Sequence, residues 1–360
     1  MKIPKGGEAV DLSVVWQDYG LDRLQEGMNT LFPQKSLSLE HLLGKVLSGD
    51  IIGALTELFT GSLSGFQAQL AGMKNILVWL LILGILSSLM HHFVEIFDRH
   101  QVADISFYFM YLLFSAVLLG SFSQAAQVAE ETMENVILFV KLLVPAYLIS
   151  VGVAAGSVTA GTSYQIMLLV IYGVEHILLS VLLPLIYSFV MLSMINGIWA
   201  EEKLTLLIEL LEKAVGWILK AAIGVVTGIS LFQALITPLV DSAKSSALQK
   251  VLASLPGVGN LADGVVELVL GSAMVLKNSI GVILLLLLLA LCAAPLIKIA
   301  IIAFILKCAA AFMEIVSDKR ITACANRTGD GGLLLLRTAG TAMLLFLIAI
   351  SACTASVRRF

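Results

Sequence analysis

Charge is scarce in this chain. Of 360 residues only 13% are charged, against about 25% in soluble domains. So little charge excludes a disordered chain and an ordinary soluble enzyme. There is no basic excess either. Lysine and arginine total 22 against 25 aspartate and glutamate, a formal net charge of −3. Nucleic acid is therefore excluded as a partner, for want of a basic footprint. Cysteine is almost missing. Cys292, Cys308, Cys324 and Cys353 all lie in the last fifth of the chain, form no C-x-x-C pair and have no histidine at ligand spacing. A disulfide-rich secreted scaffold is excluded and a zinc site has no support. These cysteines read as small apolar residues in or beside membrane helices. What abounds is hydrophobic: 59% of residues, with a mean hydropathy of +0.99. The long leucine-rich runs do not alternate like barrel strands, so the chain reads as all-α, a polytopic helical membrane protein.

A hydrocarbon core of about 30 Å needs about 20 apolar helical residues. Residues 1–70 are a polar N-terminal segment, with amphipathic helices suggested by Leu21, Leu24, Met28 and Leu31, then Leu39, Leu42, Leu43, Val46 and Leu47. Pro33 separates the two runs, and Ser36 or Ser38 could cap the second. Lys2 and Lys5 lead into Gly6-Gly7-Glu8, which is no cleavable signal. Residues 71–237 hold the first part of a transmembrane bundle. Its expected spans are Ile76–Val94, Ile105–Phe122, Val136–Ala154, two within Ser163–Ile198, and Gly216–Ile236. Residues 238–277 read as an amphipathic helical hairpin turning at Pro256-Gly257-Val258-Gly259. Residues 278–360 complete the bundle with Ser279–Pro295, an apolar run Ile299–Ile315, a polar loop Glu314–Gly332 and a last span Leu333–Ala355. The total is about eight spans. Loop charges put 95–104 and Glu201–Val215 inside and the Glu130-Glu131-Glu134 loop outside; they leave the C-terminal half open.

Ionisable residues in apolar runs are costly and mark candidate sites. Lys141 lies four residues before Pro145 and snorkels if near an interface. Glu175 and His176 fall inside the 163–198 run, where the chain is expected to turn near Glu175, His176 or Pro184; at a turn they are surface residues, within the membrane a relay. Lys277, Lys298 and Lys307 flank or interrupt apolar helix and suit polar contacts within an assembly. His91 and His92 before Glu95 are adjacent, so they point about 100° apart on a helix and do not chelate. Gly257-Val258-Gly259-Asn260-Leu261-Ala262 follows no strand and is not a nucleotide loop. Thr328-Gly329-Asp330-Gly331-Gly332 reads as a turn. No catalytic, metal or cofactor-binding constellation is legible.

The order of several segments carries a resemblance. Met274-Val275-Leu276-Lys277-Asn278-Ser279-Ile280-Gly281-Val282 enters a leucine-rich run ending Ala293-Ala294-Pro295-Leu296-Ile297-Lys298. Then come Phe304-Ile305-Leu306-Lys307-Cys308-Ala309-Ala310-Ala311 and Ser317-Asp318-Lys319-Arg320-Ile321. Earlier pieces are Asp104-Ile105-Ser106-Phe107-Tyr108, the Leu143-Val144-Pro145 run before Gly156-Ser157-Val158, and Leu183-Pro184-Leu185-Ile186. Over about Leu70–Asn326 this resembles the stage III sporulation protein AE family. The resemblance implies a non-enzymatic subunit of a channel or secretion complex joining mother cell and forespore, in the mother-cell membrane around the forespore. It implies partners among the other membrane proteins of that complex, besides the bilayer, leaves homo-oligomerisation open and supplies no cofactor. Members of that family usually begin with a signal sequence. The competing expectation is a stand-alone secondary transporter using Glu175, His176 or Lys141 for coupling.

Overall fold

The computed structural model describes residues 21–32, 37–58, 78–86, 89, 100–155, 169–199, 203–252, 259–315 and 317–355, with backbone alone at 21, 23, 100–104, 143–155, 233–252, 259–278 and 352–355. Among them no strand occurs. The helices are α1 (Leu21–Leu31), α2 (Leu39–Leu47), α3 (51–58), α4 (78–86), α5 (His100–Ala155), α6 (Leu169–Asn196), α7 (Thr205–Leu252), α8 (Gly259–Met313) and α9 (Lys319–Ala355).

The N-terminal helices form as the periodicity predicts. Ser38 caps α2, its hydroxyl accepting from the His41 N–H, and Leu39, Leu42 and Leu43 are buried. Gln25 staples α1 to this start: its amide donates to the Leu37 carbonyl at 2.7 Å and its oxygen accepts from the Leu39 N–H at 2.7 Å. Glu57 of α3 bonds Lys45 at 2.6 Å and His41 at 3.2 Å. The Lys45 ammonium, with His41, holds the Glu57 carboxyl below its ordinary value of 4.5 although partial burial pushes the other way. A depressed carboxyl stabilises the fold above its unfolded pKa and loses that contribution as pH falls through the folded one. Amide protection over 39–58, corrected for intrinsic exchange, should therefore fall on acidification below about pH 4.5, by no more than about 1 kcal/mol for so exposed a pair. Glu57→Gln should flatten that dependence; an unchanged profile would show the pair contributes nothing.

Five helices among the described residues are long and apolar enough to cross a bilayer: Ile105–Leu142, Leu169–Asn196, Thr205–Phe232, Ser279–Met313 and Lys319–Ser351. The eight spans expected from sequence are not confirmed: the expected Ile76–Val94 span lies partly outside the described residues, and among the described ones apolar runs separated by polar residues join into single helices. Residues 105–122 and 136–154 belong to one 56-residue helix, α5. The loop expected around Glu130, Glu131 and Glu134 is helical because Phe122, Ala125, Ala126, Ala129, Met133 and Val136 form one buried face. Glu130, Glu131 and Glu134 occupy the exposed face. Residues 169–196 hold no turn either. The chain stays helical past Glu175, His176 and Pro184, with a π-helical stretch at Leu178–Leu182. Proline lacks the N–H that an upstream carbonyl needs, and a wider turn absorbs that mismatch. Ser279–Pro295 and Ile299–Ile315 likewise join in α8, which runs through Pro295. At about 1.5 Å per residue, α5, α7 and α8 are each about 70–85 Å long, more than twice a hydrocarbon core. They therefore continue beyond it. Residues 256–258 of the expected turn and the His91–His92 pair lie outside the described residues, and Gly259 begins α8.

The α8–α9 hairpin is the centre of the bundle; α5 packs on both arms, and α6 and α7 pack on α9. Outside this, α1 lies on α5 and α2 on α8. In lipid, helices associate through close van der Waals contact of small residues. Ala125, Ala126 and Ala129 of α5, Ala303, Ala309 and Ala310 of α8, and Ala325, Ala339 and Ala342 of α9 are all buried. Phe139 meets Phe346 edge-on with ring centroids 5.5 Å apart.

Candidate functional site

The polar groups of the bundle fall into distinct places. One end gathers α5, α6, α7 and the α8–α9 tip. Asp318 begins α9, its carboxylate accepting from the Arg320 N–H at 2.8 Å. Arg320 in turn lies over the Phe107 ring at 3.7 Å, and Phe107 stacks on Tyr111. The Tyr111 hydroxyl donates to the Met194 carbonyl at 2.6 Å. A Cβ at Gly197 would strike that hydroxyl, so a larger residue there would displace Tyr111. Asn196 closes the α6–α7 turn, its side-chain oxygen accepting from the Leu204 N–H at 2.7 Å.

Below that tip lies the best-built polar cluster within the apolar helices. Lys307 of α8 pairs with Asp330 of α9 at 2.6 Å and donates to the Asn326 side-chain oxygen at 2.7 Å. Its aliphatic stem lies across Gly329, where a Cβ would come within 3.0 Å of Cγ. Asp330 stands about 16 Å along α9 from its first residue. The expected 314–332 loop and the Thr328–Gly332 turn are thus corrected. The chain turns at 314–318, and 319–332 is helix. The glycines serve approach rather than turning. A Cβ at Gly331 would collide with Val190, and one at Gly332 would sit 3.0 Å from the Ala303 Cβ and 3.2 Å from its Cα. Asp330 and Asn326 were missed in the sequence; folding the chain back at 314–318 is what sets them opposite Lys307.

Glu175 is fully buried in α6, one turn before the π-helical stretch, and neither carboxyl oxygen has a hydrogen-bond partner among the described residues. His176, one residue on, faces outward with its Nε2 3.4 Å from the Ser180 hydroxyl. The two are therefore neither a surface turn nor one site. Lys141 is exposed, its ammonium 5.4 Å from the Tyr172 ring centre. Lys298 is half-buried in α8 and has no ion-pair partner among the described residues. Lys277 lies in α8, where its side chain is outside the described residues. Of the five singled-out residues whose side chains are described, the structure brings no two together. Among the described residues no cluster of histidine, cysteine and carboxylates suits a metal.

No solved structure matches this chain. A curated relative, stage III sporulation protein AE of Bacillus subtilis (strain 168), is 21% identical over 287 residues, covering 79% of this chain and 72% of the relative. The profile of the family described as stage III sporulation protein AE matches residues 37–357, further in both directions than the Leu70–Asn326 resemblance. That match takes in α2, the α8–α9 hairpin and the Lys307–Asp330 cluster, and the chain belongs to the stage III sporulation protein AE family.

Proposed function

We propose that this chain is a non-enzymatic membrane subunit of a complex connecting mother cell and forespore, needed for late forespore development. Family membership over residues 37–357 carries the sporulation role; the five apolar helices support placement in a membrane, on this reading the mother-cell membrane around the forespore. Other membrane proteins of the complex are the partners in this reading. Half-exposed Lys298, without an ion-pair partner among the described residues, is our assembly contact on α8, because such a cation is costly in lipid without a partner.

Clean deletion in the sporulating host tests the reading. Expected are normal engulfment, then arrested forespores and a loss of heat-resistant spores. Complementation with Glu175→Gln should restore spores, since a structural subunit needs no ionisable carboxyl at that position. Wild-type spore yield after deletion, in a host with no second copy, would overturn the assignment.

A further inference from the structure

A cavity of about 380 Å³ opens between α7 and α9. Its walls carry Glu209, Glu212 and Lys213 from α7 and Arg337 from α9; Gly216 and Leu219 belong to its apolar side. It stands where α7 passes from the charged stretch Glu209–Lys213 to an apolar run. Arg337 interrupts the other wall, directly after Leu333–Leu336. Helical side chains lean toward the helix N-terminus. For Arg337 that is the end at which Asp318, Asn196 and the start of α7 gather, and Arg337 lines the same space as Glu209, Glu212 and Lys213.

The charges are incompletely matched within the protein. Lys213 and Glu209 approach to 3.8 Å on the exposed side. Glu212 and Arg337, both exposed at the mouth of the cavity, have no hydrogen-bond or ion-pair partner among the described residues. A planar double donor and a free acceptor therefore face one space. A Cβ at Gly216 would meet nothing within 4 Å, so the space is open there.

We propose that this cavity binds the headgroup of a phospholipid carrying a phosphodiester and a primary ammonium, the phosphatidylethanolamine class. Guanidinium forms paired hydrogen bonds to phosphate oxygens. The Glu212 carboxylate accepts from the ammonium. Two carboxylates against two cations leave the lining without net charge, which suits a zwitterion and disfavours a simple anion. The volume is in the small-ligand range, and the apolar side takes the glycerol end. Both walls belong to helices long and apolar enough to cross a bilayer, so lipid is the neighbour from which the ligand comes.

The test uses the purified full chain in detergent, offered equal amounts of phosphatidylethanolamine, phosphatidylcholine and phosphatidylglycerol, with retained lipid read by native mass spectrometry. Phosphatidylcholine keeps the phosphate but has no N–H to give Glu212. The expected result is about tenfold preference for phosphatidylethanolamine, the worth of one charge-assisted hydrogen bond. Glu212→Gln should remove that preference, and Arg337→Gln should lower retention of all three lipids. Gly216→Leu fills the cavity without changing charge and should also lower retention, so loss through misfolding in one variant does not decide the matter. Equal retention of the three lipids by the unaltered chain would overturn the proposal. Displacement by soluble phosphoethanolamine at concentrations equal to the lipid's would overturn the lipid source.

Discussion

Gly331→Leu should destabilise the purified protein by about 3 kcal/mol or more and abolish its function in spore formation. The reason is local and steric. Even the first atom of the new side chain collides with the Val190 Cγ2 and comes within 3.2 Å of Phe122. Both neighbours are fully buried, and valine on a helix has essentially one rotamer available. The clash can be relieved only by moving α9 off α5 and α6. Gly332→Ala should be milder yet still unfavourable, since the Ala303 Cα is backbone and cannot yield by a rotamer change. Gly340, on the same helix, is the control. Nothing lies within 4 Å of its Cβ position, so Gly340→Ala should be neutral or gain up to about 1 kcal/mol from helix propensity. Thermal unfolding in detergent reads all three. Equal behaviour of the Gly331 and Gly340 variants would mean that α9 does not seat against α5 and α6 at this depth.

Breaking the Lys307–Asp330 pair comes next. Lys307→Ala strands a carboxylate within apolar helices, and Asp330→Ala strands an ammonium. Removing one partner of a fully buried pair costs about 3–5 kcal/mol. With the two side chains 28% and 33% exposed, solvent offsets part of this, and about 1–3 kcal/mol is expected. The exchanged pair, Lys307→Asp with Asp330→Lys, should recover much of the loss, and Lys307→Met with Asp330→Leu should be closer to the unaltered protein than either single change, because no charge is then left alone. The measurements are thermal midpoint and spore complementation for each variant. Additive single and double effects would show that the two residues act independently.

These two regions show what could be read from residues alone. The apolar majority announced membrane helices, and the 3–4 spacing of Leu39, Leu42 and Leu43 marked a face that is buried. Segment order was enough to point to the family. Span count was not legible. Hydropathy treats the stretch around Glu130, Glu131 and Glu134 as a break, yet helix geometry turns those carboxylates to one side while Ala125, Ala126 and Ala129 stay in the core. Thr328–Gly332 misled for a related reason. Glycine and aspartate are turn residues when nothing else is known. Between packed helices the same glycines leave room for the Lys307 stem, for Val190 and for the Ala303 backbone, and the aspartate neutralises a lysine on the neighbouring helix.

By itself the sequence determined the membrane class, the helical architecture and the sporulation family, because those follow from composition, periodicity and segment order along the chain. Only the tertiary structure decided that the chain turns at 314–318 rather than through 328–332, and that Lys307 meets Asp330. It also decided that Glu175 is enclosed while His176 faces outward, and that Arg337 stands across from Glu212. Those relations join positions far apart in the chain or opposite faces of one helix. They depend on how helices pack around small residues, which no local pattern records.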